Sequence, residues 1–169
     1  GIEGAITDLV GLAEGQLGID VLYEPLGNGC DGLAATAESL ALAVIDTTVV
    51  SGRQRFTLAH EICHIVSGDV TDVVRIDTHD DGPAEERAHG FASALLMPET
   101  ALRRVVTATP DEVTLTESMM TFGVSWAALK RRLRDLAISV PAEIAALDGD
   151  QIFARAGRSS DAALSRPTG

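Results

Sequence analysis

The spacing of apolar residues changes from a helical period to a strand period within the first third of the chain. Residues 2–16 place apolar side chains at three- and four-residue steps, which predicts a helix with one buried stripe. Residues 19–23 alternate apolar and polar, which predicts a short strand stopped at Pro25. Segment 33–50 ends in a β-branched cluster and predicts two short strands with a turn near Glu38. This part of the chain therefore predicts a helix followed by a small sheet.

The remainder of the chain carries helical patterns separated by prolines and glycines. Pro83 suits the first turn of one helix and Pro98 ends it, and a short strand is predicted in the sequence VVRI. Beyond Pro141 the residues are small and polar, which predicts a frayed tail. We predict an α+β fold that is mostly helical, with one domain over residues 1–138 and a partly disordered C-terminal extension over 139–169. The predicted helices cover residues 53–66, 83–97, 99–106, 111–122 and 125–137.

Composition narrows the class of protein. The 169 residues fit one domain. Apolar residues make up 46% of the sequence and aromatic residues only 4%, so the core must consist mainly of Leu, Ala, Val and Ile. No apolar run is long enough to span a membrane, and the first residues lack the basic charge of a signal peptide, so we expect a cytoplasmic protein. Cys30 and Cys63 are too few for a disulfide scaffold and are expected to be reduced thiols.

Charge is unevenly distributed along the chain. Thirteen basic against twenty-five acidic residues give a net charge of −12, which opposes attraction to nucleic acid phosphates. Acidic residues concentrate between Asp69 and Glu86, and most of those from Asp69 to Asp81 are expected to be solvated charges. The segment KRRLR, residues 130–134, is by contrast positively charged.

The pattern H-E-x-x-H lies on the predicted helix over residues 53–66, in the sequence RQRFTLAHEICHIVSG. His60 and His64 are about one turn apart on the same face, so both imidazoles can reach one ion. Glu61 lies about 60° from His64 around the helix, where it can act on a water at the metal without ligating it. The motif predicts a metal-dependent hydrolase with Glu61 as the catalytic base.

A catalytic zinc site requires three protein ligands and an open position for water. Glu85 is the preferred third ligand because it stands near the start of the next helix, after a connection long enough to reverse the chain direction. Glu86 and His89 are the alternatives on that helix, together with His79 and the aspartates of the acidic connection. Two imidazoles and one carboxylate suit Zn2+, which is the predicted cofactor, although manganese or iron could use the same ligands.

Three segments carry a resemblance to the ImmA/IrrE family of metallopeptidases: RQRFTLAHEICH, EERAHGFASALLMP and FGVSWAALKRRL. Their order and approximate spacing are typical of that family, and the resemblance spans about residues 53–136. It implies a zincin-like domain and zinc-dependent endopeptidase activity. It also implies that Glu85 is the third ligand, because in the family this glutamate lies three residues before the alanine of E-x-x-A-N-x-F-A, here Ala88.

Two residues depart from the family pattern. Cys63 replaces the glycine of H-E-x-G-H, and we expect it to be a small buried residue rather than a ligand. His89 replaces the asparagine of the second motif. We expect His89 either to hydrogen-bond a metal ligand or to take the place of Glu85 in the ligand set.

The resemblance also bears on partners and on competing functions. Family members typically cleave a DNA-binding repressor, so the implied substrate is one specific protein, with neither a nucleic acid nor a membrane as a partner. One alternative is a DNA-binding regulator, because residues 118–136 have the helix, glycine turn and basic second helix of a helix-turn-helix. Another alternative is a zinc-containing antitoxin or interaction module without catalysis.

Overall fold

A computed structural model describes residues 4–27, 29–70, 75–76, 82–106 and 109–158. The chain divides at residues 92–93 into two compact units. Residues 8–92 form the unit that contains the sheet, called here the sheet unit. Residues 93–158 together with residues 4–7 belong to the helical unit. Among the described residues, no helix combines the length and apolar character needed to cross a bilayer.

The first helix of the sheet unit is shorter than predicted. Helix α1 covers Leu9–Leu12 and continues as a π-helical turn over Ala13–Leu17. It starts at residue 9 because the Asp8 carboxylate accepts a hydrogen bond from the backbone N–H of Gly11, which caps the helix. The prediction of a helix over residues 2–16 is therefore wrong for residues 4–8, while residues 1–3 lie outside the described residues.

Within the described residues, four strands form one sheet: β1 Asp20–Glu24, β2 Gly32–Ala37, β3 Leu40–Asp46 and β4 Arg75–Ile76. Their order in the sheet is β1-β3-β2-β4. The strands β2 and β3 are an antiparallel hairpin that turns at Glu38, and β1 runs parallel to β3. The predicted strand over residues 19–23 and the predicted pair within residues 33–50 are confirmed.

Two longer helices follow the hairpin: α2 over Ser51–Ser67 and α3 over Pro83–Leu96. Both were predicted within two residues at each end. Helix α2 contacts β2 and β3, and all eight residues from Thr57 to His64 are buried. Residues 57–64 of α2 are thus buried on every side of the helix, whereas a surface helix buries only one stripe. Gly68, in the left-handed region at φ 69°, ends α2.

The helical unit contains helices at the three positions predicted after Pro98 and two further short ones. Asp111 and Ser125 cap α5 and α6 through their side-chain oxygens. The prediction of a frayed chain after Pro141 is wrong for residues 142–155, which form α7 and α8. Residues 159–169 lie outside the described residues. The helices are α4 Glu99–Val105, α5 Glu112–Phe122, α6 Trp126–Asp135, α7 Ala142–Ala145 and α8 Gly149–Arg155.

Contacts within the helical unit explain why α7 and α8 form. The indole N–H of Trp126 donates to the carbonyl of Leu147, 2.9 Å away, and so ties the connection between the two helices to α6. Asp148 and Gln151 make a reciprocal capping box at the start of α8. Phe153 is buried. Buried apolar residues, the hydrogen bond from Trp126 and a strong cap therefore order residues 142–155.

Candidate metal centre

Helices α2 and α3 bring three predicted ligands to one point inside the sheet unit. His60 Nε2 lies 2.9 Å from Glu85 Oε2 and 3.0 Å from His64 Nε2. His64 Nε2 lies 3.3 Å from Glu85 Oε1. All three side chains are buried, and one ligand atom from each falls within 4.8 Å of the others. The structure thus assembles the two histidines of the motif with the carboxylate that was preferred as their partner.

The distances between these atoms fit a metal ion. Ligands at about 2.0–2.1 Å from a tetrahedral zinc lie about 3.3 Å from each other, close to the separations observed. Two ring nitrogens and a carboxylate facing one buried point also need a shared proton or a cation, because buried acceptors facing each other are otherwise unfavourable. The residues present therefore fit a divalent cation, and the donor set is one that zinc accepts.

The alternative ligands are placed differently. Glu86 is exposed, and His89 is half-buried outside the cluster of three. The His89 ring lies edge-on to the His60 ring, with centroids 4.8 Å apart, and its centroid is 5.7 Å from that of the Phe56 ring. Within the described part of the chain, Glu85 is the carboxylate that joins the two histidines. His79 lies outside the described residues.

Glu61 is buried on α2 beside the start of β2. A Cβ atom added to Gly32 would lie 3.4 Å from Glu61 Cγ and 2.4 Å from Thr57 Cγ2. The missing side chain at Gly32 therefore allows α2 to lie close against the sheet at the residue predicted to be the catalytic base. The role of Glu61 in proton transfer stays a prediction.

Cys63 lies in the motif but not in the cluster. It is buried, and its Sγ is 3.7 Å from Ser67 Oγ. The prediction that it is a small buried residue is confirmed. Cys30 and Cys63 are not joined in a disulfide.

Asp69 was grouped with the acids expected to be solvated, and the structure corrects this. Its side chain is only 16% exposed, and Arg87 Nη2 donates to both carboxylate oxygens at 2.6 and 2.7 Å. These hydrogen bonds from Arg87 lower the pKa of Asp69 below its ordinary value, and the neighbouring His64 adds to the effect. Asp69 directly follows Gly68, the residue that ends α2, and this position beside the motif is a sequence signal that sets it apart from the other acids of the connection.

Comparison with known proteins places the chain in a family. No curated protein gives a significant match. Residues 14–134 match the IrrE N-terminal-like domain, peptidase family M78. This range is most of the chain and contains the sheet, helices α2 and α3 and all three clustered side chains. The chain therefore belongs to the IrrE N-terminal-like family of metallopeptidases.

Proposed function

We propose that the chain is a zinc-dependent endopeptidase that hydrolyses one specific protein partner, a repressor-type regulator of gene expression. The observation that carries the proposal is the buried convergence of His60, His64 and Glu85. Membership of a metallopeptidase family supports it independently of the geometry.

The H-E-x-x-H pattern and the cluster of His60, His64 and Glu85 support the following roles. His60, His64 and Glu85 would hold the metal. Zinc bound there would supply a water of lowered pKa and polarise the scissile carbonyl. Glu61 takes the proton of the attacking water and later delivers it to the leaving amine. The burial of Glu61 keeps bulk water from competing for that proton.

Charge supports a basic protein as the partner. The chain carries a net charge of −12, whereas a DNA-binding repressor presents a positive surface to phosphates. Opposite charges speed the encounter of two proteins and help to orient them. The same negative charge makes direct DNA binding by this chain unfavourable.

Contacts of α6 also weigh against the DNA-binding alternative. Lys130 Nζ lies 3.2 Å from the carbonyl oxygen of Ala145, and Arg132 Nε donates to the carbonyl of Met97 at 3.0 Å. Two of the basic residues thus join parts of the helical unit to each other. A salt-sensitive gel shift that disappears on replacing the exposed Arg131 would favour DNA binding instead.

The proposed function is tested with Glu61→Gln, which removes the base and retains the shape of the side chain. The wild type or the variant is co-expressed with the repressor-type protein encoded nearest to its gene, and cleavage is followed by immunoblot. We expect the wild type to cleave, and the variant to retain one equivalent of zinc by elemental analysis while cleavage is lost. Glu86→Gln, an exposed neighbour of Glu85, is the matched control and should cleave normally.

Two results would contradict this proposal. If the purified wild-type protein contained no divalent metal, the proposed mechanism would have no basis. A Glu61→Gln variant with full biological activity would point to the antitoxin or interaction alternative, in which the metal serves structure alone.

A further inference from the structure

The second nitrogen of His64 points away from the metal centre toward Asp69. His64 Nδ1 is buried and lies 3.4 Å from Asp69 Oδ2. Within the described part of the chain it makes no hydrogen bond of acceptable geometry. A buried ring nitrogen without a partner is costly, and a small movement of either side chain would turn this contact into a hydrogen bond. Asp69 is therefore placed to satisfy the ring on the side opposite Glu85.

Asp69 is itself held in place. Arg87 Nη2 contacts both of its carboxylate oxygens, and the Arg87 side chain is about half exposed. Asp69 follows the end of α2, whereas Arg87 lies on α3 two residues beyond Glu85. The ion pair thus joins the two helices that supply the clustered side chains.

We propose that Asp69, held by Arg87, is a positioning residue that accepts a hydrogen bond from His64 Nδ1–H and so directs the lone pair of His64 Nε2 toward His60 and Glu85. The inference rests on the proposed function, because metal binding is what requires that lone pair.

The chemistry of imidazole explains the effect. A neutral ring carries one N–H, and an ionised carboxylate can only accept a hydrogen bond. When Asp69 accepts from Nδ1–H, the Nε2 atom must be the unprotonated ligand atom. An asparagine at this position could donate as well as accept, and a donor facing Nδ1 would leave the proton on Nε2 and block it.

The first readout uses metal-free protein and needs no catalysis. Long-range ¹H–¹⁵N correlation spectra at about pH 8.5, where imidazole is neutral, report which nitrogen of His64 carries the proton. We expect the Nδ1–H form in the wild type and a shift toward Nε2–H in Asp69→Asn. Arg87→Ala should give a mixture, and Arg87→Lys should recover part of the wild-type signal.

The second readout is zinc affinity, measured by competition with a chromophoric chelator. Loss of such an outer partner typically weakens metal binding about 10–100-fold, and we expect this for Asp69→Ala and Asp69→Asn. The matched control is the ion pair of Asp31 with Arg53, which also joins α2 to a neighbouring segment of the sheet unit. Arg53→Ala should leave zinc affinity unchanged. Asp69→Asn keeps the size of the side chain and carries the test should Asp69→Ala fail to fold.

Failure of the inference differs from failure of the proposed function. A wild-type His64 in the Nε2–H form, or zinc affinity unchanged in both Asp69 variants, would overturn the positioning role while the peptidase proposal stands. Wild-type protein that binds no zinc would overturn the proposed function, and the spectra of the metal-free protein would still decide the role of Asp69.

Discussion

A side chain at Gly32 would overlap atoms of α2 and lie tightly against β3, and we predict that Gly32→Ala destabilises the protein. The added Cβ would lie 2.4 Å from Thr57 Cγ2 and 3.2 Å from the carbonyl oxygen of Val44. The first distance is far below van der Waals contact. The carbonyl belongs to strand β3 and is held in the sheet. The steric overlap must therefore be relieved by a movement of the Thr57 side chain or by a shift of α2.

The magnitude follows from the type of contact. Inserting a methyl group into a packed interior costs about 1–3 kcal/mol, and replacing a strand glycine by alanine regains about 0.5–1 kcal/mol of backbone entropy. We therefore expect a net loss of about 1–2 kcal/mol in the free energy of unfolding. For a chain of this size, that lowers the melting temperature by about 2–8 °C.

Urea denaturation of four proteins measures the effect as a double-mutant cycle: the wild type, Gly32→Ala, Thr57→Ser and the double variant. Thr57→Ser deletes the Cγ2 methyl and keeps the hydroxyl, so it should recover at least half of the loss caused by Gly32→Ala. Gly90→Ala is the control, because a Cβ at this position of α3 meets nothing within 4 Å. It should stabilise the protein by up to about 1 kcal/mol. Equal stability of Gly32→Ala and wild type, or independent effects of the two substitutions, would refute the steric argument.

Two further predictions concern the metal ligands and the sheet. Glu85→Gln should lower the zinc content well below one equivalent and abolish the rise in melting temperature on adding zinc, whereas Glu86→Gln should behave as wild type; equal zinc binding by both variants would remove Glu85 from the ligand set. Hydrogen bonds from the hydroxyl and backbone of Thr48 hold the pKa of Asp46 below its ordinary value of 3.8. The stabilisation from Asp46 is therefore complete above that pH and is lost as the pH falls through the lower folded-state value. In urea denaturation at several pH values, the stability difference between wild type and Asp46→Asn should shrink below about pH 4, and a difference independent of pH would contradict this.

Local signals in the sequence predicted most of the elements and the clustered side chains. The motif H-E-x-x-H specifies its own geometry, because residues four apart on a helix share a face whatever the rest of the fold. Pro83 and Pro98 marked the ends of α3 within two residues. Glu85 could be preferred because it stands in the first turn of a helix that follows a long connection.

Tertiary contacts account for what the sequence did not predict. The order of α7 and α8 depends on the indole of Trp126 and on the burial of Phe153, which come from partners distant in sequence. The role of Asp69 depends on Arg87, eighteen residues away on another helix. Neither a segment of small and polar residues nor a run of acidic residues indicates which distant residues it will contact. In both cases the average composition of a segment suggested disorder or solvation, whereas one specific tertiary contact determines the structure.

The burial pattern of α2 supports a functional role for the clustered side chains. An ordinary surface helix buries one apolar stripe, yet α2 encloses His60, Glu61 and His64 together with their apolar neighbours. Burying three titratable groups costs stability unless each is paired, and an apolar helix of the same length would pack without that cost. A fold retains such groups where their chemistry is used, and here the two histidines face a carboxylate from a second helix instead of solvent. The ion pair of Asp69 with Arg87 also joins the end of α2 to α3, on the Nδ1 side of the His64 ring. The contacts between these two helices therefore set both the spacing of the clustered side chains and the orientation of the His64 ring.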